Sequence, residues 1–229
     1  MKLPPRQEGD KEKATELILI YSEGMKTEPN YFKQFEASIH AAYRNVVSVK
    51  VEGKGESTTK LFNAIGEDVG REIAARGRRR NVTVWLVYDK DDFSDFDEVP
   101  VVAEKANNDG SGAVYKLAWS NRCIELWFTL HFQDIQRENT NKMPKISGYK
   151  RKLEKHLGEI YKKSDNHIFG KLLEKGDPKT AISRAEELVR QAESNGLRPS
   201  ASDPCTHVHE LVKVLAKYLP DQLKARFIG

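Results

Sequence analysis

Residues 82–92 read Val82-Thr83-Val84-Trp85-Leu86-Val87-Tyr88-Asp89-Lys90-Asp91-Asp92. β-branched and aromatic residues dominate the first part, which favours an extended strand. That strand runs without a break into a cluster of carboxylates. Upstream, Leu17-Ile18-Leu19-Ile20-Tyr21 is a continuous apolar run that stops at Ser22-Glu23-Gly24. Uninterrupted apolar strands suit a parallel sheet buried on both faces.

Between these two runs the pattern changes period twice. Tyr31, Phe32, Phe35, Ile39 and Ala42 recur at helical spacing behind Pro29, which a first helical turn tolerates. Residues 46–51 (VVSVKV) read as a strand. Residues 58–76 read as one helix with Leu61, Ile65, Val69 and Ile73 on one face. Past the acidic cluster, a helix over 99–107 and a strand over 113–119 follow. A buried helix over 123–132 comes next, for which Ser120-Asn121 offers a cap. Beyond Lys142 the patterns are helical only. The expected fold is α/β, a mainly parallel, Rossmann-like sheet flanked by helices. Residues 1–16 form a polar arm, 17–135 the α/β domain and 136–229 a helical extension packed on it.

Composition narrows the function classes. The 229 residues are 38% hydrophobic and 31% charged, enough for a core under a solvated surface. No apolar run approaches the about 20 residues that span a bilayer, and the charged start has no apolar segment behind it. Cys123 and Cys205 are the only cysteines and form no paired pattern. These features lead us to expect a cytoplasmic chain with no membrane association. The net charge of +4 is unevenly spread: residues 142–163 hold eight Lys/Arg against two acids, and residues 89–98 hold six acids against Lys90.

In open α/β sheets, ligands gather outside the carboxyl ends of the strands. That rule puts Glu23 and Asp89 on one rim, with Asp91 and Asp92 close behind. Such carboxylates repel one another unless a cation joins them. Hard oxygen ligands at an open rim suit Mg²⁺, with Mn²⁺ as a substitute, and the matching substrate is a phosphodiester. Asp89 and Asp91 are then the expected ligands, with Asp92 in support. Glu23 is placed to ligate and to pass a proton. A phosphatase using Asp89 as a nucleophile also calls for an acid after a strand, but gives Glu23 no task.

Three blocks carry a resemblance. They are residues 18–32 (ILIYSEGMKTEPNYF), 85–93 (WLVYDKDDF) and 120–132 (SNRCIELWFTLHF), joined by a late segment, 203–209 (DPCTHVH). The Glu-Gly after one strand and Asp-x-Asp after another resemble the Toprim signature of primases, topoisomerases and overcoming-lysogenization-defect nucleases. Together the blocks resemble the RloB/AbiLii family of restriction and abortive-infection loci, over about residues 17–215. Arg122 and Cys123 depart from the Pro and small or aromatic residue expected of that family. The resemblance implies a Toprim-like fold and metal-dependent nuclease activity in antiviral defence. It also implies an ATPase partner encoded at the same locus.

Other residues are candidates for binding. Lys26 leads into a helix N-terminus, where a phosphate is readily held, while Thr27 and Glu28 suit capping. Lys90, Lys142, Lys145, Lys150 and Arg151, with Tyr149 and Tyr161 interleaved, form the expected footprint for DNA or RNA, a tRNA included. Asn121, Glu125 and His131 are expected to support the rim. The run through Arg78, Arg79 and Arg80 belongs to the far end of its strand. Residues 53–58 lack the spacing of a phosphate loop, and Cys205, His207 and His209 lack a second ligand cluster for zinc. Nothing in the sequence decides against a homo-oligomer. A non-catalytic subunit that binds nucleic acid and docks on the ATPase is the alternative to the nuclease.

Overall fold

The computed structural model describes residues 16–76, 81–110, 112–135 and 146–229. Four strands alternate with helices: β1 (Glu16–Ser22), α1 (Thr27–Ser38), β2 (Val47–Gly53), α2 (Thr58–Ala64), α3 (Gly66–Arg76), β3 (Asn81–Asp89), α4 (Glu98–Asn108) and β4 (Val114–Asn121). The short α5 (Glu125–Leu130) leads into α6 (Ile146–Leu157), α7 (Ile168–Lys175) and α8 (Pro178–Ser194). Then come β5 (Cys205–Thr206), α9 (Val208–Ala216) and α10 (Asp221–Lys224).

The sheet order is β2-β1-β3-β4-β5, with β5 alone antiparallel. This is the expected α/β architecture with three differences. Residues 58–76 form two helices, broken near Ile65 and Gly66. Ser120 and Asn121 end β4 and do not cap α5, whose N-cap is Ile124. The extension over 136–229 also carries a strand: Cys205–Thr206 pairs with Ser120 and Asn121. A two-residue strand is too short for any period to reveal, so it depends on its partner rather than on propensity.

Alternating strand residues build a core on each face. Ile18, Ile20, Trp85, Val87 and Ala118 pack with α1, α5 and the C-terminal helices. Leu17, Leu19, Val84, Leu86 and Tyr88 pack under Leu61, Ile65 and Val99. Each large side chain buried this way stabilises the fold by about 1.5–3 kcal/mol. The extension is therefore half of one core, since Leu153, Leu172, Ile182 and Leu211 belong to the same cluster as Trp127. Along β4, the Asn107 side chain donates to Tyr115 O at 3.0 Å and accepts from Tyr115 N at 2.7 Å. Among the described residues no helix is long and apolar enough to cross a membrane.

Candidate acidic site

Parallel pairing of β1 with β3 sets Ser22 opposite Val87, so Glu23 and Asp89 leave the same rim. Glu23 N donates to Val87 O at 2.9 Å, and Asp89 N donates to Glu23 Oε2 at 3.3 Å. The turn after β2 backs this loop: Lys54 N donates to Ser22 O and Gly55 N to Glu23 O. Its close approach explains two glycines. A Cβ on Gly53 would lie 2.4 Å from Gly24 O, and one on Gly24 would lie 2.0 Å from Glu28 Oε2. Gly24 is therefore the space into which the Glu28 carboxylate folds.

Glu28 is 5% exposed in the first turn of α1. It turns into the rim and joins Glu23, Asp89, Asp91 and Glu125 within one electrostatic neighbourhood. Asp89 Oδ2 accepts from Ile124 N at 3.2 Å, and Glu125 Oε1 accepts from Tyr161 Oη at 3.2 Å. Among the described residues, the other oxygens of these two acids, Asp89 Oδ1 and Glu125 Oε2, are buried without a partner, as is Asp91 Oδ1. Asp89 is 8% exposed and Glu125 1% exposed, so water does not readily satisfy them. Leaving a buried acceptor unmade costs about 1–3 kcal/mol, and more for a charged group.

Burial is the main cause that raises the pKa of four acids in this pit. Glu23 is pushed up to about 7, with Asp91 and Glu28 adding to the effect against the hydrogen bond from Asp89 N. Glu28 rises by burial and the field of Glu125. Asp89 rises well above the usual carboxyl range, under burial and then Glu28, Glu125, Asp91 and Glu23. Asp91, held at φ +34°, rises by burial against the pull of Lys163. For the Lys163 ammonium, desolvation is outweighed by Glu125, Asp89 and Asp91, which hold its pKa above the usual value.

Lys163 is absent from the site residues expected from the sequence, and Tyr161, expected there as a stacking face, instead donates to Glu125. Lys163 lies in the basic run, and the hydrogen bond from Thr27 Oγ1 to Lys163 O at 3.1 Å, with that of Tyr161 to Glu125, brings it to the rim. No local signal announces a contact across 136 residues. Glu125 carries a weak signal, as the one acid within the apolar stretch 123–130.

Several expected site residues do other work. The Asn121 side chain is tied to the Pro199 and Ser200 carbonyls, both at 3.1 Å. His131 is a core residue: Nδ1 bonds Trp127 O at 3.0 Å, and burial lowers its pKa to about 4. Lys90 Nζ turns back to donate to Phe93 O at 2.7 Å, so it stitches its own loop rather than a phosphate. Asp92 is exposed and reaches the pit only through its field on Asp91.

In the basic footprint, Tyr149 and Tyr161 are 0% and 3% exposed and offer no stacking face. Lys150 and Arg151 are exposed on α6, and Lys26 is exposed beside the pit. Lys142 and Lys145, like Arg78, Arg79 and Arg80, lie outside the described residues. Lys54 is held by Glu52 and Asp68, and His207 and His209 bond to Glu210 and Thr206 O.

Among the described residues, no three His, Cys, Asp or Glu side chains close into a ready-made cage for a metal ion. The donor set still fits a hard cation held at an open rim, which needs one or two carboxylates and completes its shell with water. The unpartnered oxygens of Asp89, Asp91 and Glu125 are the donors available for it. Residues 18–215 match the family described as RloB-like protein. No curated protein and no solved structure matches the chain.

Proposed function

Since the chain belongs to the RloB-like family, we propose that its acidic pit is the centre of a Mg²⁺-dependent, Toprim-type nuclease acting on DNA or RNA. The observation that supports this most is the set of three buried carboxylate oxygens without a partner, on Asp89, Asp91 and Glu125. A buried acceptor left without a partner calls for an explanation, and one bound ion accounts for all three.

In this reading Asp89 and Asp91 hold the ion, with Glu125 as a further donor and Mn²⁺ as an acceptable replacement. When bound, the ion supplies charge stabilisation at the phosphodiester and acidifies a water molecule. Glu23, with a pKa of about 7 in the metal-free protein, can hold or release a proton at neutral pH and serves as the proton carrier. Lys163 presents a positive charge to the scissile phosphate, and Tyr161 orients Glu125. Lys26, Lys150 and Arg151 hold the flanking backbone. The setting is antiviral defence in the cytoplasm, together with an ATPase from the same locus.

The test is cleavage of labelled DNA and RNA by the purified protein in Mg²⁺ or Mn²⁺, alone and with the neighbouring ATPase plus ATP. Cleavage that Asp89→Asn and Glu23→Gln both abolish, with melting temperatures unchanged, supports the assignment. Cleavage that persists in either variant sinks it. No cleavage under any condition, with nucleic acid still bound, points to a non-catalytic docking subunit.

A further inference from the structure

The two loops that wall the acidic pit carry the two most exposed large apolar side chains of the immediate surroundings. Met25 is 63% exposed and directly follows Glu23-Gly24; Ile160 is 75% exposed and directly precedes Tyr161. The hydrogen bond between Thr27 Oγ1 and Lys163 O pins these loops together, two residues from Met25 and three from Ile160. Their placement is therefore set by the same contacts that build the pit. Covering these side chains would remove apolar surface from water, which is favourable.

The charge around them indicates what would cover them. Lys26, Lys162 and Lys163 are exposed on the same two loops. The acids of the 158–166 segment are already engaged, because Lys171 pairs with both Glu159 and Asp165. The surface thus offers apolar side chains and positive charge on two loops that touch beside the carboxylate pit. A nucleic-acid strand matches this, because phosphates meet the lysines while a base needs an apolar face. A continuous duplex keeps its bases inside the stack, so only an unpaired nucleotide uses Met25 and Ile160. The nearby tyrosines cannot serve instead, since Tyr149 and Tyr161 are buried.

We propose that Met25 and Ile160 form an apolar lip that takes an unpaired base, with Lys26, Lys162 and Lys163 on the adjoining phosphates. The substrate class of the pit is then single-stranded or locally unpaired nucleic acid rather than continuous duplex. This rests on the nuclease reading above, so binding is measured apart from cleavage.

The experiment is fluorescence anisotropy on the full-length protein in Ca²⁺, using a labelled single-stranded oligonucleotide and the duplex formed from it. The single strand should bind about tenfold more tightly than the duplex, and Ile160→Asp or Met25→Asp should each weaken its binding by about tenfold. Val101→Asp and Val114→Asp change side chains that are 65% and 51% exposed elsewhere, and should leave binding unchanged. Should either lip variant melt early, Ile160→Ser and Met25→Ser repeat the measurement below the melting range.

Duplex binding as tight as single-strand binding overturns the proposal. So do lip variants that bind like the wild type, which would leave the lip to a protein contact. If the lip result holds but Mg²⁺ gives no cleavage, the nuclease reading fails and the lip stands. If cleavage occurs and the lip variants retain normal binding and cutting of the single strand, the lip fails alone.

Discussion

Two groups of carboxylates leave the same stretch of chain and meet opposite fates. Asp95 accepts from Thr58 Oγ1 at 2.6 Å, Thr59 Oγ1 at 2.7 Å and Thr59 N at 3.3 Å. Asp97 accepts from Ser200 N at 2.8 Å and from Ser200 Oγ at 2.5 Å, with Arg198 beside it at 3.5 Å. Partial burial opposes the charge of Asp95, but its three donors outweigh it and hold the pKa below the usual value. A few residues earlier, Asp89 and Asp91 are raised and keep an oxygen unpartnered. One group is used by the fold to hold α2 and the 198–200 turn; the other keeps an oxygen without a partner among the described residues. Carboxylates assigned to structure and to chemistry can thus be told apart by their hydrogen bonds, not by their spacing in sequence.

The sharpest way to break this comparison is to exchange the two behaviours by mutation. Asp89→Asn should lower cleavage by about a thousandfold in a single-turnover assay while leaving the melting temperature unchanged or higher, because a repelled charge is removed and an oxygen is kept for Ile124 N. Asp97→Ala should do the reverse. Stability should fall by about 1–3 kcal/mol in a denaturant titration, as Ser200 loses its acceptor, with cleavage per folded molecule retained. Equal loss of activity in both would erase the distinction.

Glu125→Gln comes next. It removes charge from a 1%-exposed side chain at constant shape, so the metal-free protein should be stabilised while Mg²⁺ or Mn²⁺ affinity falls by about 10- to 100-fold in calorimetry. Unchanged metal affinity would exclude Glu125 from the ligand set.

The pH dependence follows from the same asymmetry. Glu23, Glu28, Asp89 and Asp91 bind protons more tightly folded than unfolded, so their contribution to stability is full below about pH 4, where unfolded carboxyls titrate. It is lost as pH rises, for Glu23 through about 7. Melting in EDTA should therefore give a lower temperature at pH 8 than at pH 5, and added Mg²⁺ should narrow the gap. A melting temperature that rises over this range would mean the pit acids are already satisfied. The smallest effect belongs to Lys150→Gln on the exposed face of α6. Stability should change by less than about 0.5 kcal/mol, and the salt slope of nucleic-acid binding should fall by about 1.

The rim itself was legible in the sequence. Two buried strands ending in Glu23-Gly24 and in Asp89-x-Asp91 place their acids by strand pairing, and strand pairing follows from continuous apolar runs. Glu28 was legible only as an acid at a helix start. Its inward turn depends on the absence of a side chain at Gly24, which is a fact of three-dimensional packing. Lys163 and Tyr161 were not legible as site residues, because long-range contacts alone bring them to α1 and α5. Tyr149, read as a stacking face, is covered by the core, since its hydrophobic period and its basic neighbours pointed in different directions.

The hydrogen bond from Thr27 to Lys163 also has a consequence for how the chain is made. Emerging from the ribosome in order, β1, β3 and their acids are complete long before residues 161–163 appear, and the β5 rung arrives later still. Over that interval the nascent protein holds a set of mutually repelling carboxylates without its internal cation and with β4 lacking a neighbour. The last third of the polypeptide therefore completes the acidic site, so a chain cut short in synthesis would leave that site without Lys163 and Tyr161.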